Sequence, residues 1–164
     1  MEPTVWLEAH VPGFRELPAR DREAIASFAL LWSLFEARAL AASASAREIL
    51  ALSHEWAARG VLGHEFFDRV LEYFCNRYFP GEQRSDHFRH LNLCGNDNPA
   101  LVEAVLRRQN DDPADRVAVA LIVIYRFRNN LVHGTKWAYC IAGQLENFTM
   151  ANDALMLVLE RNDA

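Results

Sequence analysis

Apolar residues recur at spacings of three and four positions along most of the chain, with polar residues between them. In residues 20–42 the apolar positions of this pattern are Ile25, Phe28, Trp32, Phe35 and Ala39. Such spacing places the apolar side chains on one face of an α-helix, which turns once every 3.6 residues. No run alternates between apolar and polar residues as a half-buried strand would. The pattern therefore predicts an all-α fold.

Capping and turn residues divide the chain into a predicted bundle of five to six helices. Ser45 and Glu48 form a capping box, while Asn98 and Asp112 each precede a proline at a first helical position. The predicted helices are residues 20–42, 45–59, 63–79, 99–109, 113–133 and 144–160. We expect residues 1–19, with three prolines and a glycine, to be an irregular leader, and residues 81–97 to be a loop with a short turn at 87–91.

The length of 164 residues is typical of one domain, so we expect a single helical domain over residues 1–164. The longest apolar run without a charge, VAVALIVIY at residues 117–125, is well short of the roughly 20 residues that cross a bilayer. The opening residues lack the basic and apolar segments of a secretion signal. Three cysteines without a CxxC pair favour reduced thiols. We therefore expect a cytoplasmic protein that is not in a membrane.

Charge is distributed unevenly along the chain. The net charge is −5, which argues against a protein that binds duplex DNA constitutively. Residues 117–145, however, contain no aspartate or glutamate, and they carry Arg126, Arg128 and Lys136. This segment is a local cationic region on an acidic protein, and it would suit a small anionic ligand or a short piece of nucleic acid.

Polar side chains are concentrated at the end of the fifth predicted helix, in the sequence YRFRNNLVHGTKW. At about 100° per residue, Arg126, Asn129, Asn130 and His133 fall on one arc of that helix. Arg128 points about 140° away from His133. Its guanidinium therefore needs a carboxylate partner, an exit around the helix end, or a second molecule.

This set of side chains supports attack on a phosphodiester. A histidine transfers protons near neutral pH, an arginine binds phosphate and stabilises its transition state, and asparagines orient either group. Nothing in the set requires a metal, so we expect no cofactor. RNA carries its own nucleophile and is the favoured substrate. The alternative is structural, because a histidine followed by glycine is also a common way to end a helix.

The run from Ile124 to Gly134 resembles the signature of the HEPN superfamily, in which an arginine, usually followed by a polar residue, precedes a histidine by four to six positions. Arg128, Asn129 and His133 match the four-residue spacing. Arg126 fits at six residues but is followed by a phenylalanine. The family is also similar in architecture, since its motif lies late in a long apolar helix of an α-helical bundle.

The resemblance implies a metal-independent endoribonuclease that acts as a homodimer, with its active site at the interface. Arg128, His133 and Asn129 would be catalytic. The side chains implied to bind the RNA are Arg126, Asn130 and Lys136. Such domains act as toxins or antiviral-defence effectors, which implies an antitoxin or defence-system partner. Toxins silenced by nucleotidyltransferases have a tyrosine two positions after the histidine; Thr135 stands here, which argues against that mode of control.

Three alternatives remain open in the sequence. Some members of the superfamily bind nucleotides, RNA or partners without cleaving anything. Glu36, beside the apolar stripe of the first long helix, would support the site by pairing with Arg128 or Arg126, or would be an acid at the rim. A zinc ion is a further alternative at four residues with suitable spacing, namely Asp86, His87, His90 and Cys94.

Overall fold

The structure is a computed structural model that describes residues 2–63, 65, 67–133 and 143–162. In these ranges all regular secondary structure is helical, which confirms the prediction of an all-α fold. The α-helices are α1 (Pro3–His10), α2 (Ala19–Ala39), α3 (Ala46–Ala58), α4 (Asp68–Tyr78), α5 (Asp86–Arg89), α6 (Pro99–Leu106), α7 (Pro113–Val132) and α8 (Leu145–Asn162). Two short 3-10 helices lie at Pro80–Glu82 and Gly95–Asp97.

The described residues thus form eight α-helices, where five to six were predicted. The leader contains α1, which has Pro3 in its first turn and buries none of its side chains. Because α1 lacks a buried apolar stripe, periodicity gave no sign of it. The other helix outside the predicted six, α5, is only four residues long, and it overlaps the short helical turn that was expected at 87–91. The third predicted helix begins at Asp68, five residues later than the predicted start at 63.

Helix α7 occupies the centre of the molecule. Every residue from Val117 to Ile124 is buried, as expected for a helix that is apolar on all sides. Helix α7 packs against α3 and α6, while α2 lies along α8. The ring of Phe127 extends the core toward the end of α7, 5.8 Å from the ring of Phe74. The apolar run therefore fixes α7 in place, and the polar residues that follow it emerge at one defined end of the bundle.

Side-chain caps explain where two of the helices begin. Asp112 accepts hydrogen bonds from the backbone N–H groups of Ala114 and Asp115, both at 3.0 Å, and so starts α7 as predicted. Ser45 likewise accepts from the N–H of Glu48 at 3.2 Å. Asn98 differs from the prediction, because it makes no capping hydrogen bond and instead adopts a left-handed backbone with φ of 54°. The start of α6 thus depends on Pro99 rather than on a side-chain cap.

The leader packs over the C-terminal end of α7. Phe14 and Leu17 are buried in a small apolar cluster whose other members are Leu7, Val11, Ile25 and Leu131. The ion pair between Arg22 and Glu8, with 2.8 Å between Nη1 and Oε1, ties α1 to the start of α2. The last turn of α7 is therefore covered on this side. Among the residues that the structure describes, no helix combines the length and apolar character needed to cross a membrane.

Candidate functional site

His133 ends α7 with its side chain exposed to solvent. Its backbone N–H donates to the carbonyl oxygen of Asn129 at 2.9 Å, which closes the last turn. The helix dipole places partial negative charge at this end of α7. Because the imidazole is exposed, a ligand has access to the group that was predicted to transfer protons.

Arg128 is held by two side chains and remains about one third exposed, with 32% of its side-chain surface accessible. Its Nη1 donates to Oδ1 of Asn129 at 3.0 Å, and its Nη2 lies 3.7 Å from Oε2 of Glu36. The sequence left three ways to satisfy this guanidinium, and the structure shows the first of them, a carboxylate partner. Glu36 was expected to pair with either Arg128 or Arg126, and it pairs with Arg128. Asn129 is buried, and it orients the guanidinium from the adjacent position.

Glu36 is itself fixed by two hydrogen bonds. The indole Nε1 of Trp32 donates to its Oε2 at 2.9 Å, and the backbone N–H of Ala44 donates to its Oε1 at 3.3 Å. The Trp32 ring in turn lies 5.9 Å from the ring of Tyr125 on α7. These two hydrogen bonds position the carboxylate independently of Arg128. A guanidinium positioned in this way loses less conformational entropy when it binds a phosphate.

Arg126 lies in the interior, which differs from its predicted role in binding RNA. Only 9% of the residue is exposed. Its Nη1 is 3.3 Å from Oδ2 of the buried Asp97, and its Nε donates to the carbonyl oxygen of Leu91 at 3.1 Å. Asp97 also accepts the N–H of Cys94 at 2.7 Å. Arg126 therefore holds the segment that precedes α6 against α7, and its guanidinium is not presented to a ligand.

Asn130 is buried in the same way, and the structure does not place it on a ligand-binding surface. Its Nδ2 donates to the carbonyl oxygen of His90 at 3.1 Å, and its Oδ1 accepts from Nδ2 of Asn92 at 3.2 Å. The sequence could not show this, because the arc of α7 that carries Arg126 and Asn130 is covered by residues about 35 to 40 positions earlier in the chain. The third predicted RNA-binding residue, Lys136, lies outside the described residues, as does Thr135.

Carboxylates from distant segments partly neutralise the cationic region predicted from the sequence. Asp97 compensates Arg126, and Glu36 compensates Arg128. Asp97 is the residue of this region that the sequence analysis missed. The sequence marks Asp97 only by its position just before the Asn98-Pro99 helix start, and an aspartate at such a position is common in loops. The three positive charges in residues 117–145 are therefore an upper limit on the charge that a ligand would meet.

The zinc alternative has no support in the described part of the chain, where no group of three or more histidine, cysteine or acidic side chains is placed to hold a metal ion. Its four candidate residues are all exposed, namely Asp86, His87, His90 and Cys94. Cys75 and Cys94 are free thiols, in agreement with the expectation of reduced cysteines. Cys75 is buried, and that burial raises the pKa of its thiol. Cys140 lies outside the described residues.

Arg128 and His133 are separated both along α7 and around it. They are five positions apart in the sequence, which corresponds to a rise of about 7.5 Å and a rotation of about 140°. Arg128 faces α2 through Glu36, whereas the position of His133 continues the arc that faces the segment before α6. The two residues therefore leave the helix in different directions.

Comparison with known proteins identifies no relative. No protein-family model matches the chain, and neither a curated protein nor a solved structure gives a significant match.

Proposed function

We propose that the chain is a metal-independent endoribonuclease of HEPN type that acts as a homodimer, as a toxin or an antiviral-defence effector. The observation that carries the proposal is the presence, near the end of α7, of an exposed imidazole at His133 and of a partly exposed guanidinium at Arg128 that Glu36 and Asn129 hold in place. His133 transfers the proton, Arg128 binds the phosphate, and Asn129 with Glu36 positions Arg128.

The proposed reaction is a transesterification within the RNA. The 2′-oxygen loses its proton and forms a bond to phosphorus, the bond from phosphorus to the 5′-oxygen breaks, and the 5′-oxygen takes up a proton. The products are a 2′,3′-cyclic phosphate and a 5′-hydroxyl. Arg128 stabilises the charge that builds up on the phosphoryl oxygens. No step needs a metal ion, because the imidazole supplies the proton transfer and the guanidinium supplies the charge.

The outer face of α2 supports the homodimer. No charged residue occurs between Ala24 and Phe35, and this helix is nevertheless half exposed. Leu30 is 74% exposed and Leu34 is 39% exposed. Small residues make up most of the rest of the exposed face, namely Ala26, Ala29, Ser33 and Ala37, and the exposed charged residues Glu23 and Arg38 lie at its two ends. An apolar face of this kind favours a contact with another protein surface.

The apolar face and the site lie on different sides of α2. Glu36 follows Leu34 by two residues, which is a rotation of about 200°, so it is turned away from that face when it pairs with Arg128. In the proposed homodimer a second copy of the chain contacts the apolar face, and the His133 of that copy pairs with Arg128.

The decisive test is RNA cleavage by the purified protein, with and without EDTA. His133→Ala should reduce the rate by about 10²–10⁴-fold, the usual contribution of a general acid or base. Arg128→Ala should also be severely impaired. The matched controls are His54→Ala and Arg69→Ala, whose side chains are 57% and 72% exposed. Cleavage that EDTA abolishes, or that survives unchanged in both site variants, would exclude the mechanism.

One observation favours a second candidate, a helical module that binds a nucleotide, RNA or a protein partner without cleaving it. Arg126 and Asn130 are used inside the molecule, so the described end of α7 offers only Arg128 and His133 to a ligand. Under this alternative, fluorescence anisotropy with labelled RNA would show binding that is lost in the same two variants, and wild type would show no turnover.

A further inference from the structure

The segment before α6 runs antiparallel to α7 and has a fixed register against it. Asp97 pairs with Arg126, and the carbonyl oxygen of Leu91 accepts from Arg126 at 3.1 Å and from Asn130 at 3.4 Å. The carbonyl oxygen of His90 accepts from Asn130 at 3.1 Å. Earlier residues of the segment thus lie against later residues of α7.

This register brings His90 to the end of α7 that carries His133. Asn130 and His133 are three residues apart, which corresponds to a rise of about 4.5 Å and a rotation of only about 60°. His133 therefore continues the same arc of α7 by one turn. The segment lies against α7 at Asn130 through the carbonyl oxygen of His90, whereas Arg128 lies on the other side of the helix against α2.

The backbone around His90 is firmly anchored. Leu91 is 1% exposed, and Phe88 is buried with its ring 4.9 Å from the ring of Phe79. The His90 side chain itself is exposed, and Arg89 is exposed next to it, with 3.5 Å between Arg89 Nε and His90 Nε2. An imidazole and a guanidinium are thus presented to solvent from a rigid support beside the end of α7.

We propose that His90 is a second catalytic residue of the ribonuclease site, and that it takes the proton-transfer role that His133 does not. The inference rests on the proposed function. In phosphoryl transfer the attacking and leaving oxygens lie roughly in line on opposite sides of phosphorus. One imidazole cannot reach both oxygens at the same time. One of the two histidines therefore accepts the proton of the 2′-hydroxyl, and the other donates a proton to the departing 5′-oxygen.

The test compares His90→Gln and His133→Gln on two substrates. The first is ordinary RNA, on which each variant should be slower than wild type by about 10²–10⁴-fold. The second has sulfur in place of the bridging 5′-oxygen, so that a thiolate leaves without needing a proton. This substrate should restore near wild-type cleavage to the variant that lacks the general acid and not to the other variant. His54→Gln serves as the control, since His54 pairs with Asp115 near the start of α7.

Each outcome decides a separate point. Restored cleavage in one variant alone supports the division of roles, and it also shows that this variant is folded. Wild-type cleavage of RNA by His90→Gln overturns the inference and leaves the proposed function intact. Restoration of both variants, or of neither, overturns the division of roles. Absence of RNA cleavage by wild type rejects the proposed function and this inference with it.

Discussion

The ion pair between Arg126 and Asp97 provides a stability test of the assignment of Arg126 to the interior. The Arg126 side chain is 11% exposed and that of Asp97 is 6% exposed, so water screens the pair only weakly. Arg126→Gln removes the cation and leaves a carboxylate buried without its partner. Removal of one member of a buried pair typically costs about 3–5 kcal/mol.

The low end of that range applies here. Asp97 keeps the hydrogen bond from the N–H of Cys94 at 2.7 Å, which continues to stabilise the carboxylate. We therefore expect Arg126→Gln to lower the free energy of unfolding by about 3 kcal/mol. For a chain of this length, 1 kcal/mol corresponds to roughly 2–4 °C, so the melting temperature should fall by about 6–12 °C.

The assay is urea unfolding followed by circular dichroism, with a matched control. Arg69 pairs with Asp153 at 3.3 Å, the same distance as in the buried pair, but its side chain is 72% exposed. Arg69→Gln should therefore cost less than about 1 kcal/mol. In a double-mutant cycle, Arg126→Gln and Asp97→Asn should couple by at least about 1 kcal/mol. If Arg126→Gln costs no more than Arg69→Gln, Arg126 is not buried as described.

Three further predictions concern other parts of the molecule. Leu30→Glu should lower the molar mass measured by light scattering from that of a dimer to that of a monomer. Leu157→Glu, at an exposed position of α8, should leave the dimer mass unchanged, and an unchanged mass in Leu30→Glu would contradict the α2 interface. Burial raises the pKa of the Cys75 thiol, so a smaller fraction of it is thiolate at a given pH. Peptide-level mass spectrometry should therefore show that Cys75 is alkylated at least about 10-fold more slowly than the exposed Cys94, and equal rates would refute the burial of Cys75. Asp112→Ala should cost about 1 kcal/mol of stability in a urea titration, and no loss would show that the cap of α7 is dispensable.

The sequence predicted the parts of the fold that local chemistry determines. The long helices follow from apolar periodicity, and the starts of α3 and α7 follow from Ser45 and Asp112, whose side chains cap their own neighbours. The short helix α1 could not be predicted in this way, because it buries no side chain. Asn98 shows the limit of such rules, since its left-handed backbone replaces the expected cap.

The site depends on contacts that periodicity does not contain. The helical wheel correctly separates Arg128 from His133, but it treats Arg126 and Asn130 as facing a ligand. Their arc faces residues 90–97, and that packing is a tertiary contact between residues 29 to 40 positions apart. For the same reason, no pattern in the sequence indicates that the backbone of His90 lies against Asn130 in the last turns of α7.

The chemical ends that the protein leaves on RNA distinguish the proposed transesterification from metal-dependent hydrolysis. Purified wild type should be incubated with a defined oligoribonucleotide in EDTA, and the fragments should be analysed by mass spectrometry beside those of His133→Ala. We predict fragments ending in a 2′,3′-cyclic phosphate or its 3′-phosphate, with 5′-hydroxyl partners, in wild type alone. Fragments with 3′-hydroxyl and 5′-phosphate ends, or equal amounts of product from His133→Ala, would contradict the account.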